Sequence, residues 1–495
     1  MNDGHERPLR DMLRIAGPSI VTMTSYTVMQ FVDGLMVSRI GPDPVYVAAQ
    51  FNGAMLAFVP ISFGMGLLGV VNTFVSQNLG AGRPERGAAY GWNALWIAVL
   101  LWAGLLLYLP LVPWLFGLMQ RGAVAGAAGH SDELVRLGTG YAQTLLWGGV
   151  LTLASRGLAH FFYGMHRPRT VMIAALTGNL VNVGLNWVLI FGKLGVPALG
   201  VKGAAIATVL GTGVELAIVV AVFLSPAFHA AYGTRRVWRP SGKAIGDLLR
   251  LGWSPGLMFG NEMVCWTYFM AYLVGMFGDD ENAVGAIVLR YMHLSFMPAV
   301  GMSIAVTAMV GRAMGARRPE IARRRAYLGL KVTVVYMLGW ALLMVAFRGP
   351  LIAVFIKEGT PAGDVADMLA IGGTVMLIAA LFQVFDAMAI TLSAALRGAG
   401  DTVLPGVATV LLAWVCILGG GHAMVEWRPD LRSVGPWLGA GAYIVLLGLV
   451  LMWRFARGRW MSIDVLGDRP VGPVLAPEPV DGVWAEGAQG TGGVI

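Results

Sequence analysis

Charged residues are scarce in this sequence, and their scarcity argues against an ordinary water-soluble domain. Only 13% of the 495 residues are Asp, Glu, Lys or Arg, whereas 57% are hydrophobic and the mean hydropathy is +0.69. A soluble domain carries about 25% charged residues, so this chain cannot cover a water-facing surface in the usual way. The sequence therefore predicts an integral membrane protein.

Cysteines are nearly absent, and the common catalytic motifs are missing altogether. The only two, Cys265 and Cys416, each lie inside an apolar run, which argues against a disulfide framework. The sequence contains no H-E-x-x-H pair and no G-x-S-x-G elbow, and "SGKAIG" at 241–246 lacks two required residues of a phosphate-binding loop. We therefore predict neither ATP hydrolysis nor another enzymatic activity, and no resident cofactor.

Long apolar runs, by contrast, are abundant. Residues 92–119 contain no charge in 28 positions, and residues 436–453 contain none in 18. A bilayer core needs about 20 apolar residues per helix. The sequence therefore predicts an all-α polytopic membrane protein with twelve transmembrane helices, at residues 15–40, 47–77, 90–118, 135–163, 170–191, 203–225, 248–276, 283–311, 327–356, 366–396, 403–424 and 436–456.

The basic residues are distributed unevenly between the predicted loops. With the N-terminus inside, 23 of the 35 Lys and Arg residues fall in inward-facing segments, whereas "GPDPVY" carries none and "GDDEN" at 278–282 is acidic. This asymmetry predicts a multi-pass protein of the cytoplasmic membrane with both termini in the cytoplasm. The pI near 9.6 then reflects topology. The expected partner surface is the lipid bilayer, no nucleic acid is expected, and the protein is expected to act as a monomer.

One phrase occurs twice, as "LGAGRPERG" at 79–87 and "MGARRPEIA" at 314–322. Upstream, "FVPISFGMG" matches "FMPAVGMSI", with Pro60 and Pro298 in equivalent positions. Because six spans are an even number, both halves insert the same way up and are related by a pseudo-two-fold axis along the membrane normal. The predicted units are an N-terminal lobe (1–225), a cytoplasmic inter-lobe linker (226–247), a C-terminal lobe (248–457) and a disordered cytoplasmic tail (458–495).

Ionisable residues inside the predicted spans are the first functional candidates. A charge at the centre of a membrane helix costs about 2.5–3.5 kcal/mol even on the most lenient scale. Glu262 in the seventh span and Asp386 in the tenth belong to the same half. We expect them to share a cation site, in which one carboxylate holds a proton near neutral pH or Na+ takes the place of that proton.

The N-terminal half has a counterpart at similar depth. Asp33 follows Gln30 by three residues, and Asp386 follows Gln383 at the same spacing, so each amide is expected to steady its carboxylate. The fifth span carries a polar stripe at i, i+3 and i+7 that either joins helices or forms a hydrated wall facing Asp33: Asn179, Asn182 and Asn186. These residues are the candidates for handling substrate or protons.

Other polar residues are harder to assign. Arg290 and Tyr291 begin the eighth span, where Arg290 either neutralises one of the two carboxylates or extends toward the interface. Arg156, His160 and Glu215 are expected to form a polar contact between the fourth and sixth spans. A few aromatic side chains are expected to line a cavity for flat cations.

Over roughly residues 10–457, the chain resembles the MATE (multidrug and toxic compound extrusion) family, in its NorM-like bacterial branch. The resemblance rests on "VDGLMVSRIG", "SQNLGAGRPERGAA", "NLVNVGLNWVLIFGKLGVPALGVKGAAIAT", "GRAMGARRPE" and "DAMAITLSAALRGAGDT". It implies two six-helix lobes that export organic cations from a bacterium in exchange for Na+ or H+. It also implies coupling-ion carboxylates at Glu262 and Asp386, and a first-span acid at Asp33.

Two alternatives to an export antiporter remain open at the level of sequence. A lipid-linked oligosaccharide flippase of the same broad superfamily would need cationic residues in the central cavity to bind a pyrophosphate. An integral membrane transferase would need a polar loop with a metal or nucleotide motif, and none is visible in the sequence.

Overall fold

The structure is a computed structural model that describes residues 8–43, 45–120, 131–355 and 362–467. Every regular element within those residues is helical. The long helices are α1 (Pro8–Val37), α2 (Val45–Gly80), α3 (Pro84–Tyr108), α4 (Asp132–Trp147 and Gly149–Gly164), α5 (Pro168–Phe191), α6 (Gly200–Phe223), α7 (Gly242–Tyr268), α8 (Asp279–Gly315), α9 (Pro319–Ala346), α10 (Ala362–Ala399), α11 (Val403–Trp427) and α12 (Val434–Ala456). Shorter helices are Leu111–Gln120, Pro226–Tyr232 and Arg348–Ala353.

The predicted all-α membrane class is confirmed. Within the described ranges, ten helices are long and apolar enough to cross a membrane, and they correspond to ten of the twelve predicted spans. The other two are α4, which is divided at Gly148, and α7, which carries the polar Asn261 and Glu262. Both cysteines are free and buried.

One type of turn joins several pairs of helices at the same end of the bundle. Before α3, α5 and α9 the chain reads Arg-Pro, and the proline occupies the first helical turn, where its missing N–H and fixed φ are favourable. Gly82, His166 and Arg317 precede these Arg-Pro pairs with φ of 72°, 58° and 56°. The recurring phrase therefore forms a helix–helix turn after α2 and α8, and the same kind of turn occurs after α4.

The end of the bundle that carries residues 80–84 and 315–319 is called the repeat face below. Here α2 and α8 cross in direct backbone contact. A Cβ on Gly80 would lie 1.9 Å from the carbonyl oxygen of Arg312, and a Cβ on Gly315 would lie 1.9 Å from that of Gln77. Only glycine permits this reciprocal approach, which explains why both halves of the chain carry the same phrase.

The helix pairs between the lobes match the predicted pseudo-two-fold axis. Helix α1 packs on α8 and α2 packs on α7, so the contacts are exchanged when the two halves are exchanged. Further hydrogen bonds join the lobes near the repeat face. The Asn72 amide donates to the carbonyl of Ile304 at 3.2 Å, and the Gln77 amide donates to that of Gly398 at 2.9 Å. The lobes are thus closed together at this face.

The segment between the lobes is fastened to the N-terminal lobe. The indole N–H groups of Trp92 and Trp96, both on α3, donate to the carbonyls of Thr234 and Trp238 at 2.6 and 2.9 Å. Helix α7 begins at Gly242, inside the predicted linker of 226–247, because the Ser241 hydroxyl accepts a hydrogen bond from the first turn of the helix. The linker is therefore ordered and shorter than the sequence indicated.

The first ten residues of the predicted disordered tail are packed on the C-terminal lobe. Trp460 is fully buried, stacks on Phe455 with ring centroids 4.8 Å apart and donates its indole N–H to the Phe455 carbonyl. Val465 reaches Gly400 in the turn after α10. These contacts of Trp460 order the segment, although its polar composition predicted disorder. Residues 468–495 of the tail lie outside the described residues.

Candidate ion and substrate sites in the two lobes

The two predicted carboxylates of the C-terminal lobe lie close enough for their charges to interact. Helix α7 positions Glu262, α10 positions Asp386, and Tyr443 on α12 donates its hydroxyl to Glu262 Oε1 at 2.6 Å. The charge of Glu262 acts on Asp386, and both charges act on Tyr443. Asp386 is partly exposed and forms no hydrogen bond with another described residue. The site therefore contains two carboxylates and one phenol donor.

This arrangement suits a small cation or a proton. Two neighbouring carboxylates in a poorly solvated setting repel each other, and binding a proton or a cation relieves that repulsion. Na+ prefers oxygen ligands such as carboxylates and hydroxyls, and Glu262, Asp386 and Tyr443 supply these. No group of three or more His, Cys, Asp or Glu residues gathers anywhere in the described ranges, so Na+ would complete its shell with neutral oxygens.

Gln383 is buried but does not support Asp386. Its side-chain oxygen accepts a hydrogen bond from the Ser295 hydroxyl at 3.2 Å, and its amide points to the sulfur of Met344 at 3.8 Å. These partners lie on α8 and α9. Residues three apart share a helix face, but a long side chain at such a position can still reach toward a different neighbour. The expected amide–carboxylate pair at Gln383 and Asp386 is therefore not formed.

In the N-terminal lobe, a network of amides and hydroxyls holds the acid. Asp33 is buried at 5% exposure, and the Asn186 amide donates to its Oδ1 at 2.5 Å. The same Asn186 amide reaches the Asn182 oxygen at 3.2 Å, and the Asn182 amide reaches the Thr208 hydroxyl at 3.4 Å. The asparagine stripe thus both joins α1, α5 and α6 and fixes Asp33.

The remaining two N-terminal candidates lie apart from Asp33. The Asn179 amide donates to the Ser25 hydroxyl on α1 at 3.0 Å, two turns from the acid. Gln30 is exposed and forms no hydrogen bond with another described residue. Its expected role of steadying Asp33 is filled by Asn186 instead, because α5 packs against the buried side of α1.

Arg290 and Tyr291 lie beside the short helix Arg348–Ala353 and not at the carboxylates. The Arg290 guanidinium is 5.7 Å from the ring centroid of Phe355, and the side chain is exposed. The Tyr291 hydroxyl donates to the carbonyl of Leu351 at 2.9 Å. Of the two possibilities left open for Arg290, the structure favours an outward position over neutralisation of Glu262 or Asp386.

A polar contact joins α4 and α6, but it is made by Ser155 and Glu215, and it also includes α1. Glu215 Oε1 accepts hydrogen bonds from the hydroxyls of Tyr26 at 2.7 Å and Ser155 at 2.9 Å. The Arg156 guanidinium lies over the Tyr26 ring, 4.1 Å from its centroid. His160 makes an edge contact with Tyr163.

Sequence reasoning missed several members of these sites, and all of them carry a hydroxyl group: Tyr26, Ser155, Thr208 and Tyr443. A hydroxyl in an apolar span is weakly polar and carries no charge. The 13 tyrosines of the chain therefore give no signal that separates a site residue from a packing residue.

Comparison with known proteins identifies the family of the chain. The model of the MatE family matches residues 18–188 and 259–419, one segment in each lobe. The "Probable multidrug resistance protein NorM" of Mesorhizobium japonicum is 30% identical over 455 residues, covering 91% of this chain and 94% of the relative. The protein of the same name from Pseudomonas putida is 31% identical over 468 residues, covering 91% and 95%.

Solved structures agree on the fold. A multidrug resistance MATE family transporter of the MOP superfamily in an outward-facing conformation superposes with a TM-score of 0.78 at 22% identity, covering 92% of this chain and 96% of the other. A MOP superfamily transporter from Pyrococcus furiosus gives a TM-score of 0.79 at 23% identity, covering 92% and 97%. The chain therefore belongs to the MatE family of multidrug and toxic compound extrusion proteins, and it is a membrane transporter and not an enzyme.

Proposed function

We propose that this transporter is a secondary antiporter that exports organic cations across a bacterial cytoplasmic membrane in exchange for Na+ or H+. The observation that carries the proposal is the carboxylate pair of the C-terminal lobe. Glu262 holds one hydroxyl donor and Asp386 holds none, so the pair has little internal compensation for its negative charge. Binding of a proton or Na+ therefore stabilises a site of this kind, and the stabilisation is lost when the ion leaves.

Exchange follows if ion and drug do not occupy the protein together. An ion bound at Glu262 and Asp386 removes the negative charge that attracts an organic cation. When the ion is absent, a cation in the space between the lobes regains that attraction. The affinities of the two ligands are then coupled, and by linkage the coupling is reciprocal. Asp33, held in one position by Asn186, is the proposed contact for the drug in the N-terminal lobe.

The closed repeat face suggests how access alternates. Basic residues concentrate in the segments at this face, including Arg83, Arg86, Arg317 and Arg318, and the positive-inside rule puts such segments in the cytoplasm. In this state the lobes would be closed toward the cytoplasm. Export requires a second state in which the contacts of Gly80 and Gly315 separate, with residues 1–225 and 248–457 moving as two bodies around the linker.

Proteoliposomes test the exchange directly. Purified protein is reconstituted, ethidium uptake is followed by fluorescence, and either a Na+ gradient or a pH gradient is imposed alone. One gradient should drive ethidium uphill in the wild type and fail to do so in Asp386→Asn. The matched control is Asp430→Asn, which removes an exposed acid paired with Arg428 at 2.8 Å. Uphill transport by Asp386→Asn and Glu262→Gln at wild-type rates would refute the proposal.

The same preparation identifies the coupling ion. A Na+ gradient that drives transport at constant pH assigns Na+ to the site, whereas drive by a pH gradient without Na+ assigns a proton. Stoichiometric release of the ion on binding of ethidium to the detergent-solubilised protein should accompany the active gradient only. Release of neither ion would contradict antiport.

A further inference from the structure

The turns that follow α4 and α10 are equivalent in the two lobes, although their sequences differ. They read "GMHRP" at 164–168 and "GAGDT" at 398–402, and only the first glycine is common to both. In each turn the third residue, His166 or Gly400, donates its N–H to the carbonyl three residues back at 3.0 Å. Both residues have a positive φ, of 58° and 95°. His166 and Gly400 therefore occupy the same place in the two lobes.

The helices before these turns also cross equivalent partners. A Cβ on Gly164 would lie 2.9 Å from the carbonyl oxygen of Asn72 on α2. A Cβ on Gly398 would lie 2.6 Å from the carbonyl oxygen of Thr307 on α8. Asn72 and Thr307 stand at the same spacing before the recurring phrase. The pseudo-two-fold relation thus extends to single backbone contacts near the repeat face.

In the N-terminal lobe, the side chain at this place reaches the other lobe. His166 Nε2 lies 3.2 Å from the carbonyl oxygen of Ala308 on α8. A carbonyl oxygen only accepts, so Nε2 carries the proton and the ring donates across the boundary between the lobes. The position that corresponds to Ala308 is Thr73 on α2, and its hydroxyl donates to the Arg397 carbonyl at 2.9 Å. A side chain on residue 400 would therefore point toward α2.

Gly400 has no side chain, and a residue from the end of the chain fills the space instead. A Cβ on Gly400 would collide with the Val465 side chain, and it would lie 3.5 Å from that of Ile463. Upstream, the fully buried Trp460 anchors this segment by stacking on Phe455. Residues 459–467 are called the C-terminal latch below.

The C-terminal latch packs against the apolar clusters of both lobes. Met461 and Ile463 pack against the main cluster of the C-terminal lobe. Val465 packs against a second cluster, which is built mainly from the N-terminal lobe. The residues that α2 contributes to this second cluster near its end are Val70, Val71, Phe74 and Val75. The packing and the pseudo-two-fold comparison thus agree in placing Val465 between α10 and the N-terminal lobe.

We propose that the C-terminal latch holds the two lobes together at the repeat face, and that Val465 does at Gly400 what the His166 ring does in the other lobe. Opening at this face then requires His166 to leave Ala308 and Val465 to leave the N-terminal lobe. The inference rests on the two-lobe motion proposed above, but it does not depend on the coupling ion or on the exported molecule. The end of the chain thereby sets how readily the repeat face opens.

Distances between the lobes test the latch directly. Glu85 and Glu320 are exposed and occupy equivalent positions in the first turns of α3 and α9, so cysteines there carry one spin label in each lobe. The two native cysteines are replaced by alanine, and double electron–electron resonance measures the label separation in detergent. Val465→Asp puts an unpaired carboxylate into an apolar contact, which is unfavourable. We expect it to raise the ratio of open to closed lobes about tenfold.

His166→Gly removes the second contact and copies the residue of the other lobe. Glycine tolerates the positive φ of the turn, and loss of one hydrogen bond between the lobes should raise the same ratio about fivefold. Two variants serve as matched controls. Ser462→Asp adds the same charge at an exposed position of the latch, and Leu194→Gly removes an exposed side chain from another residue with positive φ. Neither should change the label separation.

A wild-type ratio in Val465→Asp would overturn the latch. A lower Tm without a longer label separation would overturn it as well, because the segment would then only stabilise the C-terminal lobe. Gradient-driven ethidium transport by the wild type decides the proposed function separately. Transport with an unchanged separation in Val465→Asp removes the latch alone, whereas a longer separation without transport keeps the latch and removes the exporter.

Discussion

The two lobes hold their acids in opposite ways. Asp33 in the N-terminal lobe is buried, bonded to Asn186, and backed by Asn182 and Thr208. Asp386 in the C-terminal lobe is partly exposed and has no hydrogen bond among the described residues. The two lobes therefore give their acids different local chemistry: Asp33 is fixed in a single geometry, and Asp386 is available to bind and release.

The backbone shows the same difference. Helix α7 continues as a π-helical turn at Phe269–Val274, and α11 contains another at Ala413–Gly420. In the described residues of the N-terminal lobe, no such turn occurs. Wide turns of this kind leave backbone groups loosely bonded and are frequent at functional sites. Under the proposed function, the ion site would therefore lie in the lobe that contains both π-helical turns, and the drug contact at Asp33 in the lobe whose described residues contain none.

The largest expected effect comes from removing a charge in the C-terminal lobe. Glu262→Gln and Asp386→Asn keep size and hydrogen bonding but remove the negative charge that would hold the coupling ion under the proposed function. Gradient-driven export should fall by roughly 100-fold, as expected for a lost interaction of about 3 kcal/mol. The measurement is uphill ethidium transport in proteoliposomes, with insertion checked by gel filtration. If Asp33→Asn lowered the affinity for the coupling ion as much as these two variants do, the contrast between the lobes would disappear.

A second effect should be equal in both lobes. Gly80→Ala and Gly315→Ala each place a methyl group against a carbonyl oxygen of the partner lobe, so each prevents closure at the repeat face. Both should reduce export at least about tenfold, because a change of about 1.4 kcal/mol in a conformational equilibrium is tenfold in population. Accessibility of engineered cysteines near the repeat face reports the opening.

Two glycines serve as matched controls for that pair. A Cβ on Gly184 of α5 or Gly339 of α9 meets nothing within 4 Å, so alanine there should leave export unchanged. Unequal effects of Gly80→Ala and Gly315→Ala would show that the crossing is not symmetric in function.

A smaller effect is expected in the N-terminal lobe. Asp33→Asn should weaken the binding of ethidium about tenfold, because an acid–cation contact is lost, while Na+ or H+ binding at the C-terminal pair stays within about twofold. Asn186→Ala should act in the same direction, since it removes the donor that fixes Asp33. Titration calorimetry of drug and ion separately makes the distinction. Unchanged ethidium affinity in both variants would refute a drug contact at Asp33.

The smallest effect concerns the one donor of the C-terminal pair. The Tyr443 hydroxyl donates a hydrogen bond to Glu262 at 2.6 Å, so its loss removes one oxygen group from the proposed cation site. Tyr443→Phe should therefore weaken binding of the coupling ion about fivefold, which corresponds to about 1 kcal/mol. Tyr272→Phe, on the same lobe, should leave that affinity unchanged, and calorimetry of the ion measures both. Wild-type ion affinity in Tyr443→Phe would contradict a role for its hydroxyl in the site.

Apolar patterning predicted the helices well, but it could not predict how each helix is rotated. Gln30 and Gln383 stand at the same spacing from an acid, yet Gln30 is exposed and Gln383 is buried between α8 and α9. The break of α4 at Gly148 has a similar cause, since a Cβ there would lie 2.3 Å from Val209. Both features depend on the neighbour that each helix meets, which local sequence does not encode.

The turn after α4 was also missed, for a different reason. Its sequence, "GMHRPR", lacks the alanine and glutamate of the recurring phrase and keeps only the spacing of Gly164, Arg167 and Pro168. The turn requires these three positions. Gly164 allows a neighbouring backbone to approach closely, Arg167 precedes the proline, and Pro168 starts the next helix. The paired acids, in contrast, were predictable because charge inside a membrane span is rare enough to stand out.

The fastening of the linker has a mechanical consequence. Because Trp92 and Trp96 hold the carbonyls of Thr234 and Trp238, and Asn93 accepts from the Ser241 amide at 2.9 Å, a strap from residue 234 to residue 241 travels with α3. Any rotation between the lobes is then not spread over a slack tether. It has to be taken up beyond Asp247 of α7, because the Tyr90 hydroxyl of α3 also donates to that residue at 2.9 Å.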